Sequence, residues 1–376
     1  MKLNVSPVAP GRTARGLIAL ITALAGGTLM HLLDWPLPWL LGPMIGVLIG
    51  SSIWKGKYHW PSPVRNAGMI AVGYTIGLSL TGAALREMGA QLPTMLLMTA
   101  MLLLLCATLA AVVAKLGSIP YLTALMGSIP GGLTQVLILA EETKGVNLTV
   151  VTIIQVVRLM LIVICIPLLI FSPIFGFQAG EAAGAVAASG VHTDWAGLWP
   201  ALPIYAAVCT LFAILGNKVR FPTAFLLAPA LGAALLQAAG LHGPALPAPI
   251  IDAAQLAIGT YVGLLLKPAQ LERKLRTLSL AVLSGVGLLV CAIGLSFLLT
   301  KIHALSLPTA LLSLAPGGMD QMGLVAHEIG ADLSTVAGYQ LFRTFFIFFA
   351  VPPLLRWIIR LATRRAKDGP SGQEAS

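Results

Sequence analysis

The most regular feature of the chain is a series of long apolar runs separated by short polar connections. Each run has about 18 residues or more, which as an α-helix covers a hydrocarbon layer of roughly 30 Å. The first half predicts membrane-crossing helices at 16–33, 38–54, 66–85, 92–114 and 146–171, and the second at 195–215, 221–239, 249–266, 277–300 and 333–355. The pattern predicts an all-α polytopic membrane protein with about ten transmembrane helices.

Two further apolar segments, 118–140 and 305–326, are interrupted near the middle. The first contains Ser-Ile-Pro-Gly-Gly-Leu-Thr-Gln, and the second contains Leu-Ala-Pro-Gly-Gly-Met-Asp-Gln. Proline removes a backbone N–H, and hydrocarbon tolerates such a break only where protein or water satisfies the freed backbone groups. The sequence therefore predicts two re-entrant or broken segments.

The two halves of the chain repeat each other. Pro130 and Pro316 are 186 positions apart, and the same offset relates Pro43 to Pro229, Gly46 to Gly232, Gly73 to Gly259, Gly77 to Gly263 and Gln135 to Gln321. After the breaks an offset of 185 relates Gly145 to Gly330, Leu148 to Leu333, Gln155 to Gln340 and Arg158 to Arg343. We expect a cytoplasmic segment at 1–15, repeat 1 at 16–177, a periplasmic linker at 178–194, repeat 2 at 195–360 and a cytoplasmic tail at 361–376.

Lys and Arg are unevenly distributed over the connections. If the N-terminus is inside and each broken segment returns to its own side, the inner connections are rich in Lys and Arg, whereas the outer stretch 172–194 has none. This agrees with the positive-inside rule and favours re-entrant hairpins. Five crossings per half then make the repeat inverted, with hairpins entering from opposite faces. The alternative is a parallel duplication with twelve full spans, because 22 or 23 residues can also cross the membrane.

Composition excludes several classes of function. The chain is 57% hydrophobic and only 10% charged, so a single soluble core is excluded. The net charge of +10 comes from clusters beside the apolar runs, which indicate topology rather than a nucleic-acid partner. The four cysteines lack CxxC spacing, the histidines are scattered, and no nucleotide-binding or nucleophile motif appears. We expect no metal, no cofactor and no enzymatic activity.

The Pro-Gly-Gly breaks are the first candidate site. A helix that restarts at Leu133 or Met319 presents unpaired N–H groups and a partial positive charge, which suit an anionic ligand. The alternative is a packing kink at a close helix contact. The candidate residues around the breaks are Pro130, Gly131, Gly132, Thr134, Gln135, Pro316, Gly317, Gly318 and Gln321.

Two arginines provide a second candidate site. Arg158 and Arg343 lie near the centre of predicted spans, where an unpaired arginine costs at least about 2.5 kcal/mol. Gln155 and Gln340 precede them by three residues, so each pair shares a helix face. One interpretation is that the arginines and glutamines bind a substrate carboxylate. The other is that the arginines pair with acids or cap hairpin carbonyls; the nearby acids are Glu141, Glu142, Asp320 and Glu328.

Asp320 follows the second break, at the position where the first half has Thr134. An acid at this depth suits coupling to H+ or Na+. An ion pair with Arg343 is the alternative.

The segments Pro-Trp-Leu-Leu-Gly-Pro-Met at 38–44, Ile-Pro-Gly-Gly-Leu-Thr-Gln at 129–135 and Ala-Pro-Gly-Gly-Met-Asp-Gln at 315–321 resemble the bacterial AbrB-type membrane protein family. The similarity extends from about residue 20 to 360. It implies a label as a regulator of gene expression or an ammonia monooxygenase, although neither activity follows from the residues. The family shares only its name with a small soluble DNA-binding regulator. Carried over, its motif implies functional positions at Pro130, Gly131, Gly132, Gln135, Pro316, Gly317, Gly318 and Gln321.

These patterns lead to two functional hypotheses. The first is a secondary transporter of a small anionic metabolite in the inner membrane, working by alternating access between opposed hairpins. The second is a membrane sensor or regulator that binds the same ligand without moving it. The expected partners are a small-molecule anion and the lipid bilayer, and homo-oligomerisation is left open.

Overall fold

The computed structural model describes residues 11–130, 133–143, 145–172, 199, 201–219, 221, 223–265 and 275–367, which form fourteen helices. The first half contains α1 (Arg12–Leu32), α2 (Pro38–Ile53), α3 (Ser62–Ser79), α4 (Gly82–Gly117), α5 (Tyr121–Ser128), α6 (Leu133–Glu142) and α7 (Leu148–Ile170). The second contains α8 (Ala201–Lys218), α9 (Ala224–Ala238), α10 (Ala248–Gly263), α11 (Leu275–Ile302), α12 (Leu307–Leu314), α13 (Met319–Glu328) and α14 (Leu333–Lys367). The predicted linker at 178–194 lies outside the described residues.

Every predicted span coincides with a helix. Among the described residues, six helices are long and apolar enough to cross a membrane: α1, α4, α7, α8, α11 and α14. Two shorter apolar helices are α2 and α9. The all-α polytopic prediction is confirmed, and the protein is membrane-embedded.

The helices pack as two bundles that each draw on both halves of the chain. One, which we call the scaffold, contains α1–α3 and α8–α10, with α2 packed on α10 and α3 on α9. The other, the hairpin bundle, contains α4–α7 and α11–α14, with α11 packed on α4 and α7. Because α2 and α3 contact helices of the other half, neither repeat can form the scaffold alone.

Four glycines allow the closest approach between the halves. A Cβ on Gly73 of α3 would overlap the carbonyl oxygen of Leu226 on α9. Its counterpart Gly259 on α10 faces the carbonyl oxygen of Leu40 on α2 in the same way. One turn further along, Gly77 and Gly263 repeat the pattern. Since these contacts exchange under the 186-residue offset, the scaffold has an approximate two-fold axis.

The equivalent helices α3 and α10 run in opposite directions. Near the start of α3 the guanidinium of Arg65 lies over the ring of Tyr261, 4.3 Å from its centroid, at the end of α10. Further along α3, Gly68 lies against Ala254, which is nearer the start of α10. Because residue numbers rise on one helix as they fall on the other, the internal repeat is inverted, as loop charge predicted.

The broken segments are hairpins. The backbone N–H of Asn147, just before α7, donates to Thr123 Oγ1 in the first turn of α5 at 3.2 Å. In the second half the N–H of Asp332 donates to Thr309 Oγ1 at 3.3 Å. Each segment therefore returns to the end of the molecule where it began. Its half-helices of eight and ten residues, about 12 and 15 Å long, reach only to the middle of the layer.

Candidate functional site

The first hairpin turn is held by two side chains of α7. Helical bonding in α5 ends with the Ile129 N–H donating to Leu125, and Met126 O is the first carbonyl without a helical donor, because its partner four residues on would be Pro130. Gln155 Nε2 donates to Met126 O at 2.7 Å, replacing the bond that the proline cannot give. Gln155 Nε2 also lies 3.1 Å from Ile129 O.

Arg158 caps the remaining carbonyls of this turn. Its Nη1 lies 3.3 Å from Gly127 O, 2.9 Å from Ser128 O and 3.0 Å from Ile129 O. Its Nη2 donates to Gln155 Oε1 at 2.7 Å, which fixes the amide orientation. A guanidinium cation at the negative end of a half-helix is favourable both as a hydrogen-bond donor and through the helix dipole. All four orphan carbonyls, 126–129, therefore have a donor.

The second hairpin repeats this arrangement with α14. Gln340 Nε2 donates to Leu312 O at 2.6 Å and to Ala315 O at 3.2 Å. Arg343 Nη1 donates to Ala315 O at 2.8 Å, and its Nη2 donates to Gly317 O at 3.3 Å and to Gln340 Oε1. The geometry thus realises the carbonyl-capping alternative for both arginines.

The two caps place two cations at the centre of the hairpin bundle. Arg158 is 3% exposed and Arg343 4% exposed, and the two guanidinium groups interact electrostatically with each other. Among the described side chains, no carboxylate forms an ion pair with either. Arg158 Nε is buried without a hydrogen-bond partner. The partial charges of two half-helix ends compensate these cations only in part, so this region keeps a net positive charge.

The tip of the second hairpin lies against the helix that caps the first. A Cβ on Gly317 would lie 3.2 Å from Ile162 Cγ2, one turn along α7 from Arg158. The hairpins begin at opposite ends of the molecule, because α5 and α12 belong to inverted repeats. Their turns consequently approach each other near the two arginines.

The hairpins differ where the second half-helix starts. The carboxylate of Asp320 lies against the backbone N–H groups of Asp320 and Gln321 and accepts from Gln321 Nε2 at 2.9 Å. Its electrostatic partner is Arg65 of α3, and it makes no bond to Arg343, so the alternative of an Asp320–Arg343 ion pair is not realised. An acid of the chain therefore occupies the positive start of α13, whereas the first half has Thr134 at that position.

The other predicted residues fall around these turns. Pro130 and Pro316 are buried, Gly318 precedes α13, and Gln321 is buried with Oε1 unpartnered. Gly131 and Gly132 lie outside the described residues. Thr134 and Gln135 lie in the first turn of α6, and the structure does not describe their side chains.

Sequence reasoning missed two sets of polar contacts. Thr123 and Thr309, which tie each hairpin to the following helix, share the 186-residue offset. That offset could have identified them. Gln255 Nε2 of α10 donates to Glu328 Oε1 at the end of α13, linking the second hairpin to the scaffold. No signal pointed to Gln255, because Met69 occupies the equivalent position in the first half.

Comparison with known proteins identifies one family over most of the chain. The family model described as "Transition state regulatory protein AbrB" matches residues 39–359. The chain is 29% identical over 336 residues to "Putative regulator AbrB" of Escherichia coli (strain K12), covering 88% of this chain and 92% of the relative. It is 24% identical over 370 residues to "Uncharacterized protein YhjN" of Bacillus subtilis (strain 168), covering 93% and 95%. No solved structure matches significantly.

Proposed function

Since the chain belongs to the AbrB family, whose matched region contains both hairpins, we propose that it is a secondary transporter of a small anionic metabolite that works by alternating access. In this proposal the protein lies in the bacterial inner membrane with both termini in the cytoplasm. It moves its cargo without converting it chemically.

The observation that carries the proposal is the meeting of two opposed hairpins at two buried arginines, neither of which forms an ion pair with a carboxylate of the described residues. In membrane transporters, half-helix N-termini at an inverted-repeat interface bind anionic groups near the midplane. Here the start of α6 and the guanidinium groups of Arg158 and Arg343 supply the positive field, because Asp320 already occupies the start of α13. The cargo anion supplies the missing negative charge.

Asp320 is the proposed coupling group. Its carboxylate lies at the turn of the second hairpin, where it could gain a proton or help to coordinate Na+ as the hairpin is exposed to one side. A movement of the hairpin relative to α3 would change the separation of this carboxylate from Arg65, its electrostatic partner, and so couple the movement to the charge of Asp320.

A second candidate function is a membrane-embedded regulator of gene expression that binds the same anion without transporting it. The name of the Escherichia coli relative, "Putative regulator AbrB", favours this function. Such a protein would use the same site and act through a partner.

Flux separates the two functions. Purified protein in phosphatidylethanolamine and phosphatidylglycerol vesicles is assayed for uptake of labelled acetate, lactate, succinate and glutamate, with pH or Na+ gradients. Protein-free vesicles and Lys301→Gln, a change of an exposed cation at the end of α11, serve as controls. We expect uptake of at least one of these carboxylates; thermal stabilisation by a carboxylate without uptake would contradict transport and favour the sensor.

A further inference from the structure

The two hairpins are equivalent in sequence but pack differently on the scaffold. In the second, α13 and α14 lie against α3. A Cβ on Gly323 of α13 would lie 3.0 Å from Ile76 Cδ1 of α3. The Gln255–Glu328 hydrogen bond joins the same hairpin to α10. The second hairpin is therefore docked on the scaffold.

The apolar clusters show the same asymmetry. Met322 and Val325 of α13 belong to a cluster that includes Val72, Leu227 and Ile258 of the scaffold. Val136 and Ala140 of α6 belong instead to a cluster whose described members all lie in the hairpin bundle. Over the described ranges, α6 makes no packing on α10 comparable to that of α13 on α3.

We propose that the structure is one of two alternating arrangements, and that in the other α6 packs on α10 as α13 here packs on α3. The scaffold supports this exchange because its halves are related by an approximate two-fold axis and present equivalent helices to the hairpin bundle. Under the repeat offset, the contact between Gly323 and Ile76 becomes one between Leu137 and Val262. The movement is a displacement of the hairpin bundle along the scaffold, and its role as the transport step rests on the proposed function.

The two arrangements differ in polar interactions: Thr134 and Ile251 stand where Asp320 and Arg65 interact, and one hydrogen bond is lost as well. The offset maps Glu328 and Gln255 onto Glu142 and Met69, and methionine cannot donate the hydrogen bond that Gln255 gives to Glu328. The observed arrangement is therefore favoured without ligand. Replacing Gln255 with Met should make the two interfaces more alike.

Cysteine cross-linking in native membrane vesicles tests the exchange, in a chain whose four native cysteines are replaced by Ala. One variant carries Gly323→Cys and Ile76→Cys, and another carries Leu137→Cys and Val262→Cys. A pair of Leu137→Cys with Leu24→Cys, the latter on an exposed face of α1, is the control that stays apart. We expect the first pair to cross-link readily, the second at lower yield, and Gln255→Met to raise the second yield several-fold.

Cross-linking of the first pair alone, unchanged by Gln255→Met, would overturn the exchange. If Gly323→Cys fails to fold, Gln255→Cys with Glu328→Cys and Met69→Cys with Glu142→Cys replace the two pairs, and Gln255→Met is then combined with the second pair only, whose yield it should raise. Flux is measured separately. Both cross-links without flux would leave the exchange intact and refute transport, whereas flux with only the first cross-link would refute the exchange alone.

Discussion

In both hairpins a glutamine and an arginine of the following helix donate to carbonyls at the end of the first half-helix, which have no helical donors. Beyond the turn the hairpins diverge, because the second carries Asp320 where the first carries Thr134, and over the described residues the second is docked on α3 whereas the first shows no comparable packing on α10. Features present in both halves hold a hairpin in place. Features present in only one half make the two hairpins contact different groups.

The strongest way to break this comparison is to remove each arginine cap. Arg158→Met and Arg343→Met should each lower the free energy of unfolding by about 3 kcal/mol, because unsatisfied buried carbonyls cost ~1–3 kcal/mol each and removal of a desolvated cation offsets part of the loss. Because the caps are equivalent, the two losses should be similar. Thermal unfolding in detergent, followed by tryptophan fluorescence, measures them against Lys301→Gln.

Binding separates capping from anion recognition. Carboxylate-induced thermal stabilisation is measured for both methionine variants and for Arg158→Lys, which keeps the charge with fewer donors. A variant with wild-type stability and no stabilisation by carboxylate would show that its arginine serves the ligand rather than the turn.

The glutamines provide the next largest effect. Gln155→Leu leaves Met126 O without its donor, and Gln340→Leu does the same to Leu312 O. Each should cost about 1–3 kcal/mol of stability, the range for one buried unsatisfied group. Chemical unfolding in detergent measures the loss. Equal wild-type stability for both variants would mean that water or a neighbouring donor takes over these carbonyls.

Much of this architecture could be predicted from the sequence. Proline and glycine placed the breaks, the repeated offset paired the halves, and the absence of Lys and Arg from 172–194 favoured hairpins in an inverted repeat. The three-residue spacing of Gln155 and Arg158 placed both on one face of α7. Each of these predictions depends on residue types and spacings that can be read directly from one sequence.

The rest depended on contacts between distant segments. Capping of hairpin carbonyls was one interpretation of Arg158, but the sequence could not select it or identify Gly127 through Ile129, because the packing distance between α5 and α7 sets those bonds. The division into scaffold and hairpin bundle was equally hidden, since apolar membrane helices have no polar face that identifies their neighbours. Gln255 has no counterpart in the first half, and therefore the duplication could not identify it.

A smaller effect comes from exchanging the residues that distinguish the turns. Thr134→Asp places a fixed carboxylate at the start of α6, where we propose that the anion binds, and should weaken carboxylate affinity about tenfold, or roughly 1.4 kcal/mol.

Asp320→Thr should abolish the dependence of flux on the H+ or Na+ gradient. Uptake by vesicles with and without each gradient measures both. Retention of gradient dependence in Asp320→Thr would exclude Asp320 as the coupling group.

The smallest expected effect concerns the residues that cap the long helices after the hairpins. Asn147 caps α7, whereas Asp332 caps α14 and can titrate. Partial burial would raise the pKa of Asp332, but hydrogen bonds from Thr335 and Ser334 lower it by more, to below its ordinary value. A lowered pKa stabilises the folded state above the unfolded pKa of about 3.9, and this stabilisation is lost as pH falls through the folded pKa.

The Asp332→Asn variant, which copies the first half, should therefore be less stable than the wild type at pH 6. The loss in free energy of unfolding should be less than about 1 kcal/mol, and it should shrink toward pH 3. Melting temperatures across this range measure it, and a difference independent of pH would show that the charge of Asp332 does not stabilise α14.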